Sequence, residues 1–172
     1  MDAIDASTVI YVPPEEVYGF IQDFSGYTDY SAHLDSVRQY GDGGPGTDYR
    51  ITVSWWKFSY TSETRVTEVD PPNRIDWRAT KDVSARGAWL IDPVDPPDDR
   101  EHATRLRLLI EFDPASVTGI RLPGFLSANT LFDKLKPIVV RESEKIVAAM
   151  VADLEGARRA VDLTVHRSPR SL

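Results

Sequence analysis

A long stretch in which polar and apolar residues alternate constrains this chain more than any other feature. It runs from residue 36 to residue 112 and has the two-residue period of strands with one buried and one wet face. After it, apolar residues recur at the three-to-four spacing of a helix from Leu131 to Leu154. The chain therefore predicts a large antiparallel sheet followed by one long helix.

Turn residues divide the alternating stretch into strands. The cluster at residues 41–46 contains four glycines and a proline, and Asp70-Pro71-Pro72-Asn73 forms a second turn signal. A further strand, rich in β-branched residues, is predicted near the N-terminus. The predicted strands are residues 6–12, 37–40, 48–56, 59–68, 74–80, 88–91 and 104–112.

Helices are predicted both before and after the alternating stretch in the sequence. Pro14, Glu15 and Glu16 suit the first turn of a helix that ends near residue 23, and a second short helix or turn is expected over residues 27–34.

In the long C-terminal helix, Pro137 predicts either a kink or a restart, and Gly156 is a natural end. We expect one domain over residues 1–156 and a frayed tail over residues 157–172.

Composition narrows the class of protein. The 172 residues include no cysteine, which excludes disulfides and thiolate metal sites and suits a reducing compartment, so we expect a cytoplasmic protein. A net charge of -7 makes nucleic acid an unfavourable partner. No apolar run is long enough to cross a bilayer, and the N-terminus lacks the features of a signal peptide, so membrane insertion is not expected.

The order of strand, two helices, six strands and long helix resembles the START-like superfamily, the helix-grip or polyketide cyclase/dehydrase and lipid transport group. The glycine-rich loop at residues 41–47 is similar to that of the birch-pollen allergen branch, and residues 66–72 followed by 74–77 are similar to many cyclase-like members. The resemblance implies an α+β helix-grip fold in which about seven curved antiparallel strands wrap around the long helix. It implies no particular activity, because the superfamily includes carriers, cyclases, cochaperones and hydroxylase domains.

Two motifs that suggest other chemistry have simpler interpretations. The glycine-rich loop lacks the Gly-Lys-Ser/Thr ending of a phosphate-binding loop and joins two strands, so a hairpin is predicted. The histidines His33, His102 and His166 do not share metal-ligand spacing, and neither a metal nor another cofactor is predicted. His33, near Asp29 and Asp35, is either a proton-transfer group at a cavity entrance or an ordinary surface histidine.

The side chains that face inward by alternation include no carboxylate, histidine, lysine or arginine. General acid–base catalysis needs a titratable group within reach of the substrate, and the predicted interior offers only tyrosine hydroxyls. Val66, Ile75 and Phe112 are among these inward positions. The predicted ligand-binding residues are Tyr49, Ile51, Val53, Trp55, Tyr60, Ser62, Thr64, Trp77, Trp89, Leu106, Leu108, Ile110, Phe125, Leu131 and Leu135.

The lack of charged and histidine side chains among the inward-facing residues favours ligand binding over catalysis. We expect a cavity that holds a lipid, isoprenoid, quinone or polyketide-like molecule, oriented by Tyr49, Tyr60, Ser62 and Thr64. A solid core, closed by the tryptophans, is the alternative to a cavity. Two other functions stay open: a cyclase/aromatase-type enzyme in which Tyr49, Tyr60 or His33 relays a proton, and a cochaperone-like domain with an exposed apolar patch. The sequence does not indicate an oligomeric state.

Overall fold

The computed structural model describes residues 1–23, 29–55, 58–117 and 128–167, without the side chains of residues 55, 117, 128–136, 138 and 139. It contains eight strands and three helices in these ranges. The strands are β1 (Asp2–Ile10), β2 (Leu34–Tyr40), β3 (Asp48–Trp55), β4 (Phe58–Asp70), β5 (Arg74–Ala79), β6 (Ala85–Pro93), β7 (Thr104–Phe112) and β8 (Thr164–Arg167). The helices are α1 (Pro14–Gln22), α2 (Pro114–Val117) and α3 (Ala128–Glu155).

All eight strands belong to one antiparallel sheet with the order β2-β3-β4-β5-β6-β7-β1-β8. The sheet is curved and does not close into a barrel. Helices α1 and α3 contact each other, and α3 also contacts β1. The predicted α+β helix-grip fold is confirmed.

The core lies between the inner face of the sheet and the two longer helices. Helix α1 starts at Pro14, where the absent N–H costs nothing, and buries Val17, Tyr18 and Ile21 on one side. Met150 and Val151 bring the C-terminal half of α3 into the same cluster.

Charged side chains occupy the outer face of the sheet. The alternation that turns apolar residues inward brings arginines and carboxylates together on neighbouring strands: Arg65 lies directly opposite Asp48, and Arg107 reaches Asp5 diagonally across β7 and β1. The second pair holds the pKa of Asp5 below its usual range, chiefly through the hydrogen bonds from Arg107. The outer face therefore carries ion pairs between neighbouring strands.

Several element boundaries differ from the predicted ones. β1 begins at Asp2 rather than residue 6, because β7 offers a pairing partner along the whole of it. β6 begins at Ala85 rather than residue 88, and residues 164–167 of the tail that was expected to be frayed form β8 against β1. Pairing supplied by a neighbouring strand overrides weak local propensity at all three places.

The predicted second helix lies partly outside the described residues. Leu34, placed at its end, starts β2 instead. α3 is one helix that continues through Pro137 and ends at Glu155. The next residue is Gly156, whose φ of 77° suits glycine and whose N–H donates to the Ala152 carbonyl oxygen. No described helix combines the length and the apolar character that crossing a membrane requires.

Candidate ligand cavity

A cavity of about 190 Å³ lies on the inner face of the sheet. Its lining comes from α1 and from five consecutive strands, β3 to β7. The lining residues are Ile21, Tyr49, Ile51, Ser62, Thr64, Val66, Ile75, Trp77, Trp89 and Leu108. None of them carries a charge, so the described part of the wall is apolar apart from hydroxyl groups and indole N–H groups.

The register of β3 and β4 brings the hydroxyl-bearing side chains to the cavity. Tyr49 lies opposite Thr64, and Ile51 lies opposite Ser62. Because directly opposed residues of antiparallel strands point to the same face, these four side chains line the cavity together. The predicted alternation holds along this pair of strands.

An irregularity in β4 keeps a carboxylate off the inner face. Val66 pairs with Trp77, but the next residue, Thr67, is bulged out, so that Glu68 pairs with Asp76 on the outer face. Without the extra residue, Glu68 would stand opposite Ile75 and point inward. The bulge thus preserves an uncharged wall where simple alternation would have introduced a charge.

Gly87 makes room for the indole of Trp77. The two residues are directly opposed on β5 and β6. A Cβ atom at position 87 would lie 2.6 Å from Cε2 of Trp77 and 2.6 Å from the carbonyl oxygen of Leu109, distances that real contacts do not allow. Only glycine lets the indole ring lie this close to the strand, which is why a residue that is unfavourable in strands occurs there.

The hydroxyl of Tyr49 is engaged away from the cavity. It donates a 2.9 Å hydrogen bond to the carbonyl oxygen of Gln22 at the end of α1. Burial, with a smaller effect of the Asp23 carboxylate, raises the pKa of Tyr49 to about 12. Burial also raises the pKa of Tyr60. Both phenols therefore keep their protons at neutral pH.

His33 is bonded to the end of β3. Its Nδ1 lies 3.1 Å from the carbonyl oxygen of Ser54, which can only accept, so Nδ1 carries a proton. Asp35 accepts a 2.7 Å hydrogen bond from the Ser54 hydroxyl, and Ser31 donates a 2.6 Å bond to Glu142 of α3. His33 is not among the residues that line the cavity.

The predicted site residues fall into three groups. Those that line the cavity are Tyr49, Ile51, Ser62, Thr64, Trp77, Trp89 and Leu108. Those that are described but do not line it are Val53, Tyr60, Leu106 and Ile110. The side chains of Trp55, Phe125, Leu131 and Leu135 lie outside the described residues. All of these positions remain predictions as ligand contacts.

Position along a strand explains the second group. Val53 and Tyr60 oppose each other on the inner face, but they lie further towards the hairpin that joins β3 and β4. Leu106 is buried in the core, opposite Ile91. Alternation predicts which face a side chain occupies, whereas the cavity covers only part of that face.

Ile21, Val66 and Ile75 line the cavity but were not among the predicted ligand-binding residues, although Val66 and Ile75 were predicted to face inward. Ile21 reaches the cavity from α1, and the only signal for it was the buried stripe of that helix. Asp2 is 6% exposed and pairs with Phe112, which places a carboxylate on the inner face, although not in the cavity wall. The late predicted start of β1 concealed it.

Solved structures with the same fold include proteins of different kinds. The Zhui aromatase/cyclase from Streptomyces sp. R1128 is 20% identical, with a TM-score of 0.66 over 89% of this chain and 93% of that one. TTHA0849 from Thermus thermophilus is 19% identical, with a TM-score of 0.63 over 90% and 97%. A START superfamily protein from Mycobacterium smegmatis is 17% identical, with a TM-score of 0.59 over 90% and 99%. At these identities the likeness shows the fold alone.

Comparisons at the level of sequence gave one family match. Comparison with curated proteins gave no match. The model of the family described as polyketide cyclase / dehydrase and lipid transport matches residues 1–155, which include every described residue of the cavity wall. The chain therefore belongs to the polyketide cyclase/dehydrase and lipid transport family.

Proposed function

We propose that this protein binds an uncharged, largely apolar small molecule in the cavity and acts as its carrier or sensor. The observation that carries the proposal is the described cavity wall, which has no charged side chain among its ten residues. An apolar cavity of roughly 150 Å³ can hold a benzene molecule, so a cavity of about 190 Å³ suits a compact ring system or part of a longer chain. A lipid, isoprenoid, quinone or polyketide-like molecule meets these requirements.

The absence of charge from this wall also restricts the ligand. A carboxylate or phosphate group placed there would lose its hydration without gaining a counter-ion, which is strongly unfavourable. Any charged group of the ligand is therefore expected to stay outside the part of the cavity that these residues line.

A proton-relay enzyme has less support. Of the three groups considered for the relay, Tyr49 donates a hydrogen bond to the carbonyl oxygen of Gln22, and His33 is hydrogen-bonded to the carbonyl oxygen of Ser54. Tyr60 is not part of the cavity wall. A cochaperone-like role, which an exposed apolar patch without a cavity would favour, has less support than ligand binding because the described residues include a cavity lining. The expectations of a cytoplasmic location and of no nucleic-acid partner remain predictions from composition and charge.

Extraction of the folded protein with organic solvent, followed by mass spectrometry, tests the proposal. A molecule released in stoichiometric amount, and absent from protein that was denatured and washed before extraction, would support it and identify its class. Naphthalene is then titrated into the emptied protein while the intrinsic tryptophan fluorescence, to which Trp77 and Trp89 of the cavity wall contribute, is followed. Protein that releases nothing and does not bind naphthalene would contradict the proposal.

A cavity-filling variant locates the binding. Ser62→Leu places a larger side chain in the cavity and should weaken naphthalene binding at least tenfold. Ser59→Leu is the matched control, because Ser59 is exposed and faces outward on the same strand. Equal affinities of the two variants would place the bound probe elsewhere.

A further inference from the structure

The indole N–H of Trp77 is buried and has no hydrogen-bond partner among the described residues. An indole nitrogen can only donate, and buried donors in proteins are nearly always paired. Trp77 lines the cavity, but less than 1 Å² of Nε1 itself is exposed, so a ligand atom reaches this donor only when a neighbouring side chain moves aside. An unpaired donor beside a cavity is most simply explained as one half of a contact with the ligand.

The position of this donor is fixed by the strand beside it. The indole lies against the backbone of Gly87, and its Cε2 atom, to which Nε1 is bonded, would be 2.6 Å from a Cβ at that position. Val66 opposes Trp77 on its other side. A donor held between two strands in this way is pre-organised, so a ligand does not have to order it.

The other polar groups of the wall complement a donor. Ser62 and Thr64 line the cavity on β4, and neither hydroxyl has a side-chain hydrogen bond to another described residue. A hydroxyl can donate as well as accept, whereas an acceptor-only group such as a carboxylate does not occur in this wall. The described wall therefore offers donors to a ligand atom that only accepts.

We propose that the ligand carries a carbonyl oxygen that accepts a hydrogen bond from Nε1 of Trp77. This inference rests on the proposed function and adds a chemical class to it: an uncharged cyclic ketone, quinone or lactone rather than a plain hydrocarbon. Ser62 or Thr64 supplies a second donor to the other lone pair of the same oxygen.

Two probes with one skeleton test this inference. 1-Tetralone and tetralin differ only in that a carbonyl replaces a methylene group, and both are titrated by calorimetry into wild type and Trp77→Phe, which loses the N–H but keeps an aromatic ring. The ratio of the 1-tetralone affinity to the tetralin affinity should be roughly threefold to tenfold higher in wild type, the range expected for one neutral hydrogen bond. An unchanged ratio would overturn the inference while leaving the proposed function intact. Failure of both probes to bind wild type would instead count against the function itself.

Nuclear magnetic resonance gives a second readout that does not depend on the stability of the variant. Protein labelled with ¹⁵N at the four tryptophans shows indole N–H signals, and the one absent from Trp77→Phe belongs to Trp77. In wild type, 1-tetralone should move this signal downfield, and tetralin should move it much less. Equal movement with the two probes would show that the N–H does not contact the carbonyl oxygen.

Discussion

Replacement of Gly87 by alanine tests the packing that positions Trp77. The added methyl group would meet both the indole ring and the carbonyl oxygen of Leu109 at 2.6 Å. That oxygen belongs to the neighbouring strand β7, so it cannot retreat without disturbing the ladder between β6 and β7. The indole is the part that can move, and its movement would change the cavity wall.

The size of the effect follows from the cost of overpacking. Forcing an extra methyl group into a well-packed site costs about 1–3 kcal/mol. For a domain of this length, each kcal/mol lowers the melting temperature by about 2–4 °C, so Gly87→Ala should melt about 2–12 °C below wild type. Naphthalene binding should weaken as well, because the displaced indole enters or distorts the cavity.

Gly19→Ala provides a control with the same substitution and the opposite expectation. Gly19 lies in α1 and is exposed, and a Cβ atom added to it would meet no other atom within 4 Å. Alanine favours the helix over glycine by about 0.5–1 kcal/mol, so this variant should melt slightly above wild type. The melting temperatures of wild type, Gly87→Ala and Gly19→Ala are measured by calorimetry. A Gly87→Ala variant as stable as Gly19→Ala would refute the described packing of Trp77.

Three further predictions concern hydrogen bonds outside the cavity wall or directed away from it. Arg159→Met should destabilise the protein by about 3 kcal/mol in urea unfolding, because it removes both Arg159 hydrogen bonds from the Glu155 carboxylate, whose side chain is only 3% exposed. Burial alone would raise the pKa of Glu155, but Arg159 and the N–H of Tyr11 hold it below the usual range. The stability that the ionised Glu155 provides is present above its unfolded-state pKa and is lost as pH falls through its folded-state pKa. The difference in the free energy of unfolding between wild type and Arg159→Met should therefore shrink from pH 7 to pH 3, and a constant difference would contradict this. Tyr49→Phe should cost about 0.5–1.5 kcal/mol through the lost bond to Gln22 and leave naphthalene affinity within twofold, whereas a large loss of affinity would give the hydroxyl a role in binding.

Alternation was sufficient to predict most of the sheet. Residues 104–112 were predicted as a strand with the bounds of β7, and the facing pairs of β3 and β4 followed from parity alone. Alternation failed where the chain inserts a residue, as at Thr67, because a bulge exchanges the faces of the strand beyond it.

Contacts between distant parts of the chain account for what was missed. Gly87 is unfavourable for a strand in isolation, and the reason for it is an indole on β5. Ile21 reaches the cavity because α1 packs against the sheet, and no local pattern specifies which turn of the helix does so. The extent of a cavity along a strand depends on the packing of all its neighbours at once, which periodicity does not describe.

The short strand β8 covers part of the sheet edge that β1 would otherwise expose to other molecules. Open sheet edges act as templates on which extended chains can add, and long flat edges favour aggregation. β8 pairs with β1 at Asp5 to Ser7, so part of a nine-residue edge is covered by a four-residue strand. Its last residues, His166 and Arg167, are exposed and polar or charged, which discourages a further strand from docking there. A segment without buried side chains thus shields one edge of the sheet from self-association.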